Sequence, residues 1–331
     1  MKKTLMLLIC MLISSPVFAT KLDAPDKRVM NLFELGVRPD RDKDFADVAR
    51  QTISASVDHE VGTLAMYALH RSDNPHKAFM VELYENTRGK AMMKIEPSAI
   101  SEADIRSVSP ALARFGREVI TEDLWTRDAL SPRDRSMVTV GMLIARNQPG
   151  DLKHYIGIAL DNGVTPAELS EIITHLAFYS GWSNAMSAVS VTKAVFETRG
   201  VTADALPDAS PDLLPLNQEA EKQRSETVEK NVGPISPGLV KFTAGPLFLD
   251  LWQRPALKPR DRSLITVSAL IASGQSAQIG YHLNRAMDNG LSAEEAGEIV
   301  TQAAFYAGWP NAFTAAPVVG EVLNNRSSSK R

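Results

Sequence analysis

Apolar and polar positions alternate along the early part of the chain and then settle into a longer period. Val29, Phe33, Leu35 and Val37 fall on one face of an extended segment, whereas Phe45, Val48, Ala49, Thr52 and Ile53 follow helical spacing. Thr63 to Leu69 and Ala78 to Tyr84 read as two further strands about a Ser72-Asp73-Asn74-Pro75 turn. This β-α-β-β order predicts a small α+β domain of ferredoxin-like type. Farther along, the period is helical. Leu169, Ile172, Ile173 and Leu176 predict a helix from about Thr165 to Ser180, opened by the capping-box spacing of Thr165 and Glu168 with Pro166 at the first helical position. The apolar run Met137 to Ala145 has no readable period and its valines suit a strand. Ser131-Pro132 ahead of it makes a cap and first turn, which predicts a helix instead.

The helical part is written twice. From Pro110-Ala111-Leu112 onward the chain realigns without a gap on Pro237-Gly238-Leu239, an offset of 127 residues. Leu130 to Ala145 maps to Leu257 to Ala272, each carrying Pro-Arg-Asp-Arg-Ser. Asn162-Gly163 maps to Asn289-Gly290, and Thr174 to Ala185 maps to Thr301 to Ala312. The two Asn-Gly pairs suit left-handed turns that end a helix, and Ser292 with Glu295 repeats the capping box. The predicted organisation is a small α+β domain over 20–105, a first helical repeat over 106–200, a proline-rich and then charged linker over 201–236, and a second repeat over 237–326. The fold class is mostly α.

Residues 1–19 read differently. Lys2 and Lys3 precede an apolar run from Leu5 to Ile13 and a small-residue end at Ala19, the parts of a secretory signal. The run is far short of the roughly 20 residues of a membrane span. The expectation is a periplasmic or secreted protein that leaves the membrane once the signal is cleaved. Cys10, the single cysteine, lies inside that segment, so the mature chain carries no thiol chemistry and no disulfide. A net charge of −3 gives no electrostatic footprint for nucleic acid. The histidines show no metal-ligand spacing, and no cofactor fingerprint is present.

The Pro-Arg-Asp-Arg-Ser block, the His282 to Gly290 stretch and Ala304 to Ala312 together resemble the carboxymuconolactone decarboxylase family, part of the alkylhydroperoxidase D-like superfamily. The resemblance covers both repeats and implies all-helical bundles that assemble as homo-oligomers, here a trimer of two-repeat chains. Val61 to Tyr67 and Val81 to Tyr84 resemble antibiotic-biosynthesis-monooxygenase domains, without the histidine-bearing second half of such domains. Peroxidatic relatives carry a Cys-x-x-Cys pair where this chain has Gln275 and Gln278, so a peroxidase role lacks its nucleophile.

Decarboxylating a small carboxylated lactone or oxo-acid needs a cation for carboxylates, a group that stabilises an enolate and a proton donor. In the second repeat the resemblance assigns these roles to Arg260 and Arg262 for carboxylate contact, to His282 as the catalytic proton donor, and to Tyr306 and Trp309 as pocket lining. In the first repeat Tyr155 stands at the position of His282, and His154 is one step around the helix. His175 falls on a stripe with Glu171, which reads as a solvated face. Two readings stay open at this point. One is an exported lyase without a thiol. The other is a non-catalytic small-ligand binding or assembly protein.

Overall fold

The computed structural model describes residues 29–36, 49, 53, 63–70, 77–84 and 100–328. The expected signal segment and the Ser72 to Pro75 turn lie outside them. Of the helix expected near Phe45 to Ile53, the described Ala49 and Ile53 are helical.

Three antiparallel strands, β1 (Val29–Gly36), β2 (Thr63–His70) and β3 (Lys77–Tyr84), form a sheet of order β1-β3-β2. Val29 pairs with Tyr84 and His70 with Ala78, so β3 lies between two strands that run parallel to each other. That is the split β-α-β arrangement of a ferredoxin-like domain. Met66 and Ala78 are buried, while Leu64, Tyr67 and Leu69 remain exposed.

The rest of the described chain is helical. The first repeat contains α1 (Glu102–Val108), α2 (Pro110–Phe115), α3 (Pro132–Ala145), α4 (Pro149–Asp161), α5 (Pro166–Ser180) and α6 (Trp182–Arg199). A connector helix α7 (Gln218–Val232) follows. The second repeat contains α8 (Pro237–Phe242), α9 (Pro259–Ala272), α10 (Ser276–Asp288), α11 (Ala293–Tyr306) and α12 (Trp309–Ser328). Each repeat also has a π turn, Gly116–Thr121 and Thr243–Asp250, leading into a short 3-10 turn that carries Trp125 or Trp252.

Met137 to Ala145 is helical, and so is its copy in α9. Both helices are buried on nearly every side because α3 packs on α4, α5, α6, α9 and α11, and α9 on its counterparts. A helix surrounded in this way shows no amphipathic stripe, which is why its period was unreadable. Gly141 of α3 faces Ile265 of α9, whose Cδ1 would lie in van der Waals contact, at 3.4 Å, with a Cβ placed there. Both capping boxes form, at Thr165–Glu168 and Ser292–Glu295. Gly163 and Gly290 take positive φ in the Asn-Gly turns, at 88° and 101°.

The repeats pack crosswise about a pseudo-twofold axis. α5 of the first repeat lies on α9 of the second, and α11 of the second lies on α3 of the first. One continuous core runs through both, from Leu124 to Val322. At the axis Arg133 bonds Asp261 at 2.9 Å and Arg260 bonds Asp134 at 2.9 Å, mirror images of one contact.

Candidate functional site

The crosswise packing builds two buried side-chain clusters, or chambers, each half from one repeat and half from the other. Their floors are the same. In one, buried Arg262 donates to Glu171 (2.8 Å) and to the Arg254 carbonyl (3.0 Å), and Arg254 also grips Glu171 at 2.8 Å. In the other, buried Arg135 donates to Glu298 (2.9 Å) and to the Arg127 carbonyl (2.9 Å), and Arg127 grips Glu298 at 2.8 Å. A buried arginine bonded to a buried carboxylate anchors each half against the other, with Nε of Arg135 and of Arg262 left without a partner.

Above the floors the chambers share a second layer and then diverge. Gln302 donates to Thr139 Oγ1 at 2.9 Å and accepts from Arg135 at 2.8 Å, while Thr139 donates to the Arg135 carbonyl. His175 occupies the matching place. Thr266 donates to the Arg262 carbonyl (2.8 Å), so it accepts from His175 Nε2–H at 2.7 Å and leaves Nδ1 facing Arg262 Nη1 at 3.5 Å. His175 is therefore fully buried rather than on a solvated face, and Glu171 pairs with the two arginines instead of with it. Burial, then Arg262, His282 and Arg285, holds its pKa well below the ordinary 6.5, so it is neutral at pH 7.

The roof decides the chemistry. Trp125 Nε1 donates to Tyr306 Oη at 2.8 Å, and the Tyr306 hydroxyl lies 2.7 Å from that of Tyr155, which closes the set. Burial pushes Tyr306 up to about 12. In the other chamber Trp252 Nε1 donates to Tyr179 Oη at 2.9 Å, but the position of Tyr155 is taken by His282. The imidazole stacks on Trp252 at 5.9 Å and meets the Tyr179 ring edge-on at 5.2 Å. His282 Nδ1 is buried with no hydrogen-bond partner, and among the described residues the Tyr179 hydroxyl donates to none. Burial and the Arg285 charge lower His282 to about 4, so it rests neutral at pH 7 rather than as a ready proton donor.

The five residues assigned from sequence do not meet at one point. His282 is in the chamber just described, and Arg262 is below it but committed to Glu171. Arg260 is engaged at the axis by Asp134, Asp261 and Glu295. Tyr306 belongs to the opposite chamber. Trp309, about half exposed and edge-on to Phe305 at 4.9 Å, helps Tyr306 line an apolar cavity of about 950 Å³ there. The aromatics beside His282 are instead Trp252 and, from the first repeat, Tyr179. Their signal was present in the duplicated blocks, and it required pairing the repeats crosswise. Among the described residues no group of histidines and carboxylates could hold a metal.

The site is thus one of two pseudo-equivalent chambers in a fused pair of helical repeats, distinguished by His282 where its twin has Tyr155 and by His175 where its twin has Gln302. Models of known families match both repeats. The carboxymuconolactone decarboxylase family model covers 110–194 and 237–321, and the chain belongs to that family. The antibiotic biosynthesis monooxygenase model matches 28–89. Curated relatives include a 4-carboxymuconolactone decarboxylase of Acinetobacter baylyi, 32% identical over 79 residues, covering 24% of this chain and 59% of the relative. A nitrosuccinic acid decarboxylase of Metarhizium robertsii is 33% identical over 96 residues, covering 28% and 66% respectively. The matches therefore span less than two thirds of either relative's length. A crystal structure described as a gamma-carboxymuconolactone decarboxylase subunit of Burkholderia xenovorans aligns at a TM-score of 0.45 with 16% identity, covering 72% of this chain and 98% of that one.

Proposed function

We propose that the chain is a thiol-independent decarboxylase of a small carboxylated lactone or oxo-acid, acting in the chamber of His282. The observation that carries this reading is the buried His282 Nδ1, which has no hydrogen-bond partner, beside a Tyr179 hydroxyl that accepts from Trp252 and donates to no described residue, where the twin has the Tyr155–Tyr306 pair. Loss of carbon dioxide breaks the bond to the carboxyl carbon and leaves the electron pair on the substrate as an enolate. In this reading the Tyr179 O–H, which donates to no described residue, donates to that oxygen. An anionic substrate alongside raises the proton affinity of His282, which then hands a proton to carbon and is reprotonated from solvent. Both curated relatives carry decarboxylase names, which supports this class of reaction.

The test is carbon dioxide release from β-oxo-acids and carboxylated lactones by the purified chain. His282→Gln is expected to lower turnover about 100-fold or more, as loss of a general acid does. A variant that keeps full activity ends the proposal. A non-catalytic binding role has its own support in the apolar cavity beside Tyr306, and it predicts saturable ligand binding with no carbon dioxide release.

Export to the periplasm or beyond, and assembly with copies of itself, belong to the same reading. The first is supported by residues 1–19 and the second by exposed Phe115, Phe242, Trp182 and Trp309 at pseudo-equivalent places on the two repeats. No helix of the described chain is long and apolar enough to cross a membrane. Sedimentation equilibrium of the purified chain checks the assembly, and a monomer at micromolar concentration would refute it.

A further inference from the structure

Connector helix α7 crosses the second repeat beside its π turn, and a cavity of about 200 Å³ remains between them, lined among others by Glu221, Arg224, Phe248, Trp252 and Arg285. Two guanidinium groups face one carboxylate in this space. Arg224 is nine-tenths buried and lies over the Phe248 ring at 4.1 Å. Glu221 holds one edge of it through Nε (2.7 Å) and Nη2 (2.5 Å), leaving the buried Nη1 with no partner. Arg285 lies over Trp252 at 4.2 Å. Its Nε is buried and unpartnered, and no described carboxylate forms an ion pair with it.

Arg285 is partly exposed and has no ion-pair partner among the described residues, and flat guanidinium groups laid on aromatic faces keep their N–H edges in fixed directions. We propose that this cavity is a binding site for a small organic carboxylate, held by Arg285 and Arg224. Neither arginine was among the carboxylate contacts expected from sequence, and those two are occupied by ion pairs. The site belongs to one half only. Ile158 stands in the first repeat where Arg285 stands in the second, and Thr121 stands where Phe248 does.

The cavity is coupled to the chamber. His282 faces Tyr281 and Arg285 of its own helix, Tyr179 and His175 of α5, and Trp252. Arg285 is the charged group among these, so a carboxylate that neutralises it restores proton affinity to the imidazole. The binding site stands whether or not the chain turns over a substrate.

Titration calorimetry with succinate, its neutral diamide and inorganic phosphate, on the full chain, tests the site. Saturable succinate binding is expected, with the diamide at least about tenfold weaker because the charged hydrogen bonds are lost. Stronger binding of phosphate than succinate would overturn the carboxylate assignment. Arg285→Gln should abolish succinate binding. Arg224→Met, which keeps the stack on Phe248, should weaken it about tenfold, the loss of one charged hydrogen bond. Thermal melts report whether each variant folds. If Arg285→Gln does not fold, wild-type selectivity and Arg224→Met decide the matter. No saturable succinate binding by the wild type, or unchanged binding by a folded variant, refutes the site. Carbon dioxide release is measured separately, so failure of the decarboxylase reading leaves this result distinguishable.

Discussion

His175 and Gln302 do the same work with different atoms. Each donates to a threonine hydroxyl and presents an acceptor to a buried arginine, and this exchangeability makes a sharp prediction. His175→Gln should change unfolding free energy by less than about 1 kcal/mol, because both bonds can be remade. His175→Leu should cost about 1–3 kcal/mol, since Thr266 and Arg262 each lose a buried partner. Chemical denaturation of the two variants side by side checks it, and equal losses would show that the imidazole ring, rather than its bonds, is what the site needs. A larger effect is expected at the floor. Glu298→Ala strands fully buried Arg135 and should destabilise by about 3–5 kcal/mol, read from the same curves. Sequence made His282 visible because a family block falls on it. The apolar stripe around His175 gave no sign of its burial, because the helix covering it comes from the other repeat.

The two α5–α6 and α11–α12 corners depend on single residues. Gly181 sits at φ 95° and ψ 148°, a conformation closed to other residues, and turns the chain from α5 into α6. Gly181→Ala should therefore lower stability by about 1–3 kcal/mol without any steric clash, as nothing lies within 4 Å of the added Cβ. A thermal melt unchanged from wild type would contradict this. Elements with strong punctuation were legible: caps and Asn-Gly turns marked the helices in advance. The connector helix was not. From Gln218 to Val232 it is polar on all sides and buries only Arg224, so it has no hydrophobic stripe to read. The π turns escaped for a different reason, since an extra residue in a helical turn leaves the apolar spacing almost unchanged.

Across the whole molecule, two neutral histidines enclosed near one core set its response to acid. In the unfolded chain both take up a proton near 6.5, whereas in the folded chain His282 does so only near 4 and His175 lower than its ordinary value. Their contribution to stability is therefore complete above pH 6.5 and declines as pH falls, with His282 alone contributing a loss of about 3 kcal/mol by pH 4. Urea midpoints should drop between pH 7.5 and 5, and less so in the His282→Gln variant, where that proton uptake is absent. The duplicated architecture was legible from the gapless offset, while the crosswise sharing was not, because a linear repeat does not say which half completes which. That sharing has a consequence for inheritance. If one repeat were encoded alone and paired with itself, every substitution would appear in both chambers at once, and Tyr155 and His282 could not coexist. Joining the copies in one chain breaks that obligation: a single mutation alters one chamber and spares its twin. One chamber thus carries an imidazole at His282 while the other is braced by Trp125, Tyr155 and Tyr306, a division of labour that no self-paired single repeat can encode.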